Sequence, residues 1–290
     1  MKGIFAVVLA SFLWGTTGTA ASFAQALSPL AIGAFAMGVA ALLLGLRSAR
    51  ALASHAKSLR AKPALLIGGA ASVVLYPLAF YSSMHLAGVA IGTVVSIASA
   101  PLFAALLERL LDAKPITLRW TLSFLIGVSG IVMLYLGKVT PVAEAGGSAM
   151  LIGVLLGLVA GLTYSAYTWV VKRHIESGIE SGASMAALFI LASLVLLPSL
   201  ALTGENLFAS FTNAAVVIYM ALVPMFLGYI AFSYGLRSVS VSSATLITLL
   251  EPVVAVLLAI SFLGEAFALI GWLGLLAVFA SILIQLSRSQ

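Results

Sequence analysis

Glu251 stands near the middle of a long apolar stretch, and no other ionisable side chain in the 290 residues lies so deep in one. A charged carboxyl at the centre of a bilayer costs roughly 2.5–3.5 kcal/mol on insertion scales, and no Lys or Arg lies at matching depth to offset it. Such a carboxyl has two readings. It faces a cavity, where it holds an ammonium group or carries a proton, or it stays protonated against backbone freed by Pro252 and serves only the kink. Thr245 and Thr248 precede it on the same stretch; their hydroxyls bond a ligand or hold helices together. Trp14, Tyr76, Tyr164, Met225 and Tyr229 are comparably deep in other stretches, with Ser96 and Ser99 as weaker polar candidates. A deep Tyr needs a hydrogen-bond partner for its hydroxyl, which either a neighbouring helix or a ligand supplies.

Other chemistry is poorly represented. The chain has no cysteine, hence no thiolate metal site, nucleophile or disulfide. His55, His85 and His174 are scattered and make no ligand set, so each reads as structural or solvated. There is no HExxH, GxSxG or phosphate-cradling glycine loop. No catalytic residue, metal or cofactor is expected.

The elements that position these side chains follow from composition. The chain is 63% apolar and 8% charged, with a mean hydropathy of +1.22, whereas globular domains run near half apolar and a quarter charged. The solvent for that surface is lipid. A spanning helix needs roughly 20 mostly apolar residues, and its backbone must be satisfied internally, which leaves helices or a closed barrel. The apolar runs are long and lack period-two alternation, so the expectation is all-α. Ten spans emerge, near 3–23, 29–47, 64–86, 88–108, 116–136, 149–171, 184–203, 213–236, 239–262 and 267–286. The polar connections are Arg47–Lys62, Leu136–Ser148 and Lys172–Ala183. The apolar N-terminal run is longer than a signal-peptide core and reads as an uncleaved first span.

With the N-terminus inside, thirteen of the fourteen Lys and Arg fall in inside loops and only Lys138 lies outside. That is a strong positive-inside bias. It supports ten spans with both ends cytoplasmic, and it accounts for the pI of about 9.7 without nucleic acid. Shifting the chain on itself by 151 residues sets Ala100-Pro101 over Glu251-Pro252, Phe80-Tyr81-Ser82 over Ala231-Phe232-Ser233, and Ser123 and Gly130 over Gly274 and Ser281. Five spans per copy is odd, so the copies are inverted across the membrane, as in many secondary transporters with a midplane site. The halves are expected at 1–139 and 148–290. Pro101 and Pro252, each lacking an N–H, are candidate hinges whose freed carbonyls could meet a polar ligand, the alternative being static kinks. Pro77, Pro198 and Pro224 have no proline at the matching position and read as static. Spans 1, 3, 4, 6, 8 and 9 carry the deep polar and aromatic groups and should wall a cavity, with spans 2 and 7 outside it.

Two five-span halves, Leu13-Trp14-Gly15, the mid-span prolines, Glu251-Pro252 and Leu263-Gly264-Glu265 resemble the drug/metabolite transporter superfamily, EamA type. The layout, with Tyr76 and Tyr164, is most similar to its YddG-type amino acid exporters. A departure is that Ala100 and Lys114 face Glu251 and Glu265 in the repeat, so the paired acid survives only in the second half. The resemblance implies a multi-pass bacterial inner-membrane exporter of aromatic and other neutral amino acids with broad specificity. The chemistry of the cavity alone leaves amino acids and lipophilic cations level, and disfavours anions, since no basic residue is deep. The partners expected are a small-molecule substrate and the lipid bilayer. Reporter fusions to the two chain ends should both read cytoplasmic; ends on opposite faces would mean that a span has been miscounted.

Overall fold

In the computed structural model, residues 1–24, 26–137, 148–264, 266 and 268–287 are described; Lys138, Glu265 and Arg288 fall outside them. Ten helices are long and apolar enough to cross a membrane: Lys2–Ser22, Pro29–Arg47, Pro63–Ala87, Ile91–Leu111, Leu118–Leu136, Ser148–Glu176, Ser181–Thr203, Phe211–Gly235, Val241–Phe262 and Leu269–Leu286. They are called spans one to ten. The chain is all-α, with no strand among the described residues. Local chemistry sets the starts: Pro29 and Pro63 open spans two and three, where a missing N–H costs nothing. Thr117, Ser210 and Ser240 cap spans five, eight and nine through their hydroxyls. Gly264, at φ 68°, ends span nine in a left-handed turn.

Two connections differ from the expectation. The Arg47–Lys62 segment holds a helix, Ala49–Arg60, whose Leu52 and Leu59 pack on Ile179 and Ala183. Span six runs on to Glu176, so Lys172 and His174 are buried helix residues, not loop residues. Lys172 Nζ reaches the Leu236 carbonyl at 2.8 Å, a long stem delivering its charge to a helix end. His174 Nδ1 lies 3.0 Å from Ser184 Oγ.

The main contacts between the halves come in image pairs under their exchange. Span three packs on six as eight packs on one, four on six as nine on one, and three on seven as eight on two. Two–seven, four–nine and five–ten are their own images. Spans five and ten show the two-fold at residue level. Gly130 meets Gly274, and the Ser281 hydroxyl donates to the Ser123 carbonyl at 2.6 Å. Under the 151-residue shift Gly130 becomes Ser281 and Gly274 becomes Ser123, so each contact is the repeat image of the other, as an isologous interface requires. The fold is two inverted five-helix repeats, with aliphatic side chains such as Leu125, Leu136, Leu276 and Leu283 exposed on the outer surface of the five–ten pair.

At that crossing small residues let backbones touch, the usual basis of close helix packing in lipid. A methyl on Gly274 would lie 2.5 Å from the Gly130 carbonyl oxygen and 2.6 Å from the Leu134 nitrogen. Gly274→Ala should therefore lower thermal stability in detergent by about 1–3 kcal/mol, the usual cost of overpacking. An unchanged unfolding midpoint would mean that the two spans are not held at this separation.

Candidate functional site

A cavity of about 120 Å³ lies between the halves at mid-span. Trp14, Tyr76, Ser96, Tyr164, Tyr229, Thr248 and Glu251 all line it. Ser99 and Thr245 do not, which corrects their expected placement. Ser99 lies on the face of span four that packs against Gly161, its hydroxyl turned to the Ser96 carbonyl. Thr245 is fully buried and bonds the Val241 carbonyl at 2.9 Å. Span two, expected outside, is part of the wall through Gly33, Ala36 and Met37. Its small residues make room: the Tyr81 ring lies where a Gly33 side chain would be, 2.8 Å from the position of its Cβ.

The lining residues are not spread evenly in depth. By the 1.5 Å rise per residue, Thr17, Gly33, Phe80, Tyr81 and Ser96 lie roughly 7–9 Å from mid-span, away from the face where span one begins and span ten ends. That face is called the terminal face. Toward it the lining stops at Tyr167 and Tyr229, about as far from mid-span. Here the rings form a floor. Trp14 lies 5.1 Å from both Tyr229 and Phe232, Tyr164 5.4 Å from Tyr167, and Phe189 4.4 Å from Tyr229. Edge and tilted contacts of this kind suit the ring quadrupoles. The polar tips are satisfied internally: Tyr167 and Tyr229 share a hydroxyl contact of 3.0 Å, and Tyr164 donates to Thr248 Oγ1 at 3.4 Å.

Irregular helices shape the walls. Span nine is two helices, Val241–Ile247 and Leu250–Leu263, interrupted at Thr248 and Leu249. Pro252 cannot bond the Thr248 carbonyl, and that carbonyl accepts from the Glu251 nitrogen instead, at 2.9 Å. The break therefore precedes the proline and places Glu251 in the first turn of a half-helix facing the cavity. Pro101 is different: span four stays a continuous helix through it, tied to span six where Ser165 Oγ donates to the Ala100 carbonyl at 2.7 Å. The two prolines are thus matched in sequence and unlike in structure. In span eight, Ala221–Leu227 is a π-helix containing Pro224, and the Pro224 carbonyl accepts from Trp14 Nε1 at 2.9 Å. Such widened turns recur at functional sites. This anchor for Trp14 was not expected, Pro224 having been read as a plain kink; its signal was Gly228 one turn on, over which the indole lies.

The Glu251 carboxylate makes no ion pair among the described residues, and no Lys, Arg or His lines the cavity. The arrangement offers one anionic group, a ring of hydroxyls and an apolar, aromatic surround. That suits a positively charged or zwitterionic organic solute.

Known proteins agree in family. Residues 1–136 and 151–287 each match the EamA-like transporter family. An uncharacterized transporter of Bacillus subtilis, YwfM, is 29% identical over 281 residues, covering 96% of this chain and 91% of its own length. An uncharacterized inner membrane transporter of Escherichia coli K12, YedA, is 32% identical over 197 residues, 67% of this chain and 61% of the relative. A protein of Streptantibioticus cattleyicolor named as a "probable terminal-alkyne amino-acid exporter" is 26% identical over 277 residues, 91% of this chain and 86% of that one. A crystal structure superposes with a TM-score of 0.81 at 17% identity, over 97% of this chain and 95% of the other, which shows a shared fold. With both halves matched and one cavity between them, the chain belongs to the EamA-like transporter family, and it is a multi-pass membrane transporter of small molecules.

Proposed function

We propose that the protein exports neutral, amphipathic amino acids across a bacterial inner membrane by alternating access, with broad specificity and both chain ends in the cytoplasm. The observation that carries this reading is the cavity itself: a single carboxylate at mid-span, Glu251, among Tyr76, Tyr81, Tyr164 and Thr248, with no basic group in the lining. Glu251 receives the substrate ammonium, the tyrosine and threonine hydroxyls meet its carboxylate, and Trp14, Met37 and Phe80 take the side chain. On the measure by which one water needs roughly 10–15 Å³, 120 Å³ holds on the order of ten water-sized atoms, the scale of a neutral amino acid. The thirteen-to-one distribution of Lys and Arg supports cytoplasmic ends, and the amino-acid exporter among the relatives supports the substrate class. The lack of a base in the lining also favours a second reading, export of lipophilic or quaternary ammonium cations through the same site.

Counterflow tests both readings. Liposomes carrying the protein and loaded with a labelled neutral amino acid should show faster exchange when unlabelled amino acids are added outside. Glu251→Gln, which removes a charge-assisted contact worth about 1.5–3 kcal/mol, should slow that exchange about 10- to 100-fold. Stimulation by cations with none by amino acids replaces the first reading with the second, and efflux that no external solute stimulates removes the carrier mechanism.

A further inference from the structure

We propose that Glu108 is the gate residue of the terminal face, the centre of a latch that joins the two halves and holds the cavity shut on that side. The proposal rests on the alternating-access reading above but not on any particular substrate.

Glu108 lies in the last turn of span four and is 3% exposed. Its carboxylate accepts from the backbone nitrogens of Val241 at 3.1 Å and Ser242 at 3.0 Å, and from the Ser242 hydroxyl at 2.5 Å. Two of the first-turn N–H groups of span nine, which a helix cannot satisfy by itself, are thus capped by a residue of the other half. One turn on, Asp112 accepts from Trp169 Nε1 at 2.8 Å and pairs with Arg173 at 3.2 Å, both on span six. Lys114 ties the parts together, 3.2 Å from Glu108 and 3.2 Å from Glu176. Burial works to lower the Lys114 pKa, but Glu108 and Glu176 outweigh it and hold the ammonium above its ordinary range. The ion pairs Lys114–Glu108, Lys114–Asp112, Lys114–Glu176, Arg173–Asp112 and Arg173–Glu176 all belong to this one cluster.

Its position gives it a function. The cluster bridges span four of the first half to spans six and nine of the second at the terminal face, on the side where the cavity lining ends at the aromatic floor of Tyr167 and Tyr229. Opening the terminal face means drawing spans four, six and nine apart, which Glu108, Asp112 and Lys114 oppose. In an inverted repeat the two access states are images of each other, so a contact at one face ordinarily has a counterpart at the other. Here the images of Glu108 and Asp112 under the 151-residue shift are Ala259 and Leu263, which carry no charge. Lys114 has Glu265 as its image, so it is the two carboxylates of the latch that exist on one side only, and they bias the resting protein toward the state closed at the terminal face.

The absence of cysteine permits a direct test in the full-length protein. Single cysteines replace Ala244, buried in span nine between latch and floor, and Thr17, on the far side of the cavity. A membrane-impermeant maleimide is then applied to either face of sealed vesicles. Loss of a charge-assisted cap shifts a two-state population by about tenfold. Glu108→Ala should therefore speed terminal-face labelling at position 244 about tenfold and slow labelling at position 17 from the other face. Should E108A not reach the membrane, Asp112→Asn gives the same pair of changes at smaller size. The reciprocal pattern supports the gate; a rise at both positions means general loosening and overturns it, as does any other pattern, including no change. No substrate is needed, so a wrong substrate class leaves the result intact. If the alternating-access reading fails instead, both cysteines of the otherwise unaltered protein label rapidly, each from its own face.

Discussion

An ionisable carboxyl without a cationic partner in the middle of ten hydrophobic helices is the constraint from which the site follows. Lipid cannot hold such a group cheaply, the described residues supply no ion pair for it, and the cavity beside Glu251 is where water or a ligand can reach it. The rest of the wall accommodates that need. Span nine breaks just before Glu251 and aims a half-helix at the cavity, a form of irregular backbone tolerated at membrane depth only where it borders a cavity or protein. Span two contributes Gly33 and Ala36, whose lack of bulk leaves the volume open. In the π-turn of span eight, the Pro224 carbonyl accepts from Trp14 Nε1 and fixes its ring.

The second determinant is the two-fold between halves, and its violations are as informative as the symmetry. Spans five and ten meet through Gly130, Gly274, Ser123 and Ser281 in a self-imaged contact far from the cavity, suited to a scaffold that stays together. The cavity side is asymmetric. Glu251 has Ala100 as its image, and span nine is broken where span four is not. The terminal-face carboxylates Glu108 and Asp112 have the uncharged Ala259 and Leu263 as their images. On the proposed alternating-access reading, a symmetric frame with one-sided chemistry would give two similar conformations of unequal stability, and a single acid rather than two competing for one substrate.

Much of the fold was legible because lipid imposes simple rules. Length and hydropathy locate the ten spans to within a few residues, and the paired matches at Ser123, Gly130, Gly274 and Ser281 reveal the inverted repeat. The misses have physical causes. Span two carries almost no polar or aromatic signal at mid-span, whereas a cavity also needs residues such as Gly33 that leave space. Charge usually ends a span, which points Lys172 and His174 to a loop; the helix continues because Lys172 reaches a carbonyl and His174 a hydroxyl. Thr245 was placed with Glu251 on the assumption of an unbroken helix, and the break at Thr248 and Leu249 changes which faces align. The Glu108 cluster joins residues more than 130 positions apart, and no local pattern marks it.

The central claim, that Glu251 meets the substrate in the cavity, is tested most directly by carbodiimide modification followed by mass spectrometry of the peptide carrying Glu251. An apolar carbodiimide should modify this carboxyl, and a saturating neutral amino acid or organic amine should suppress the modification in proportion to its occupancy of the site. Modification of Glu251 at the same rate with and without every transported solute would contradict the account.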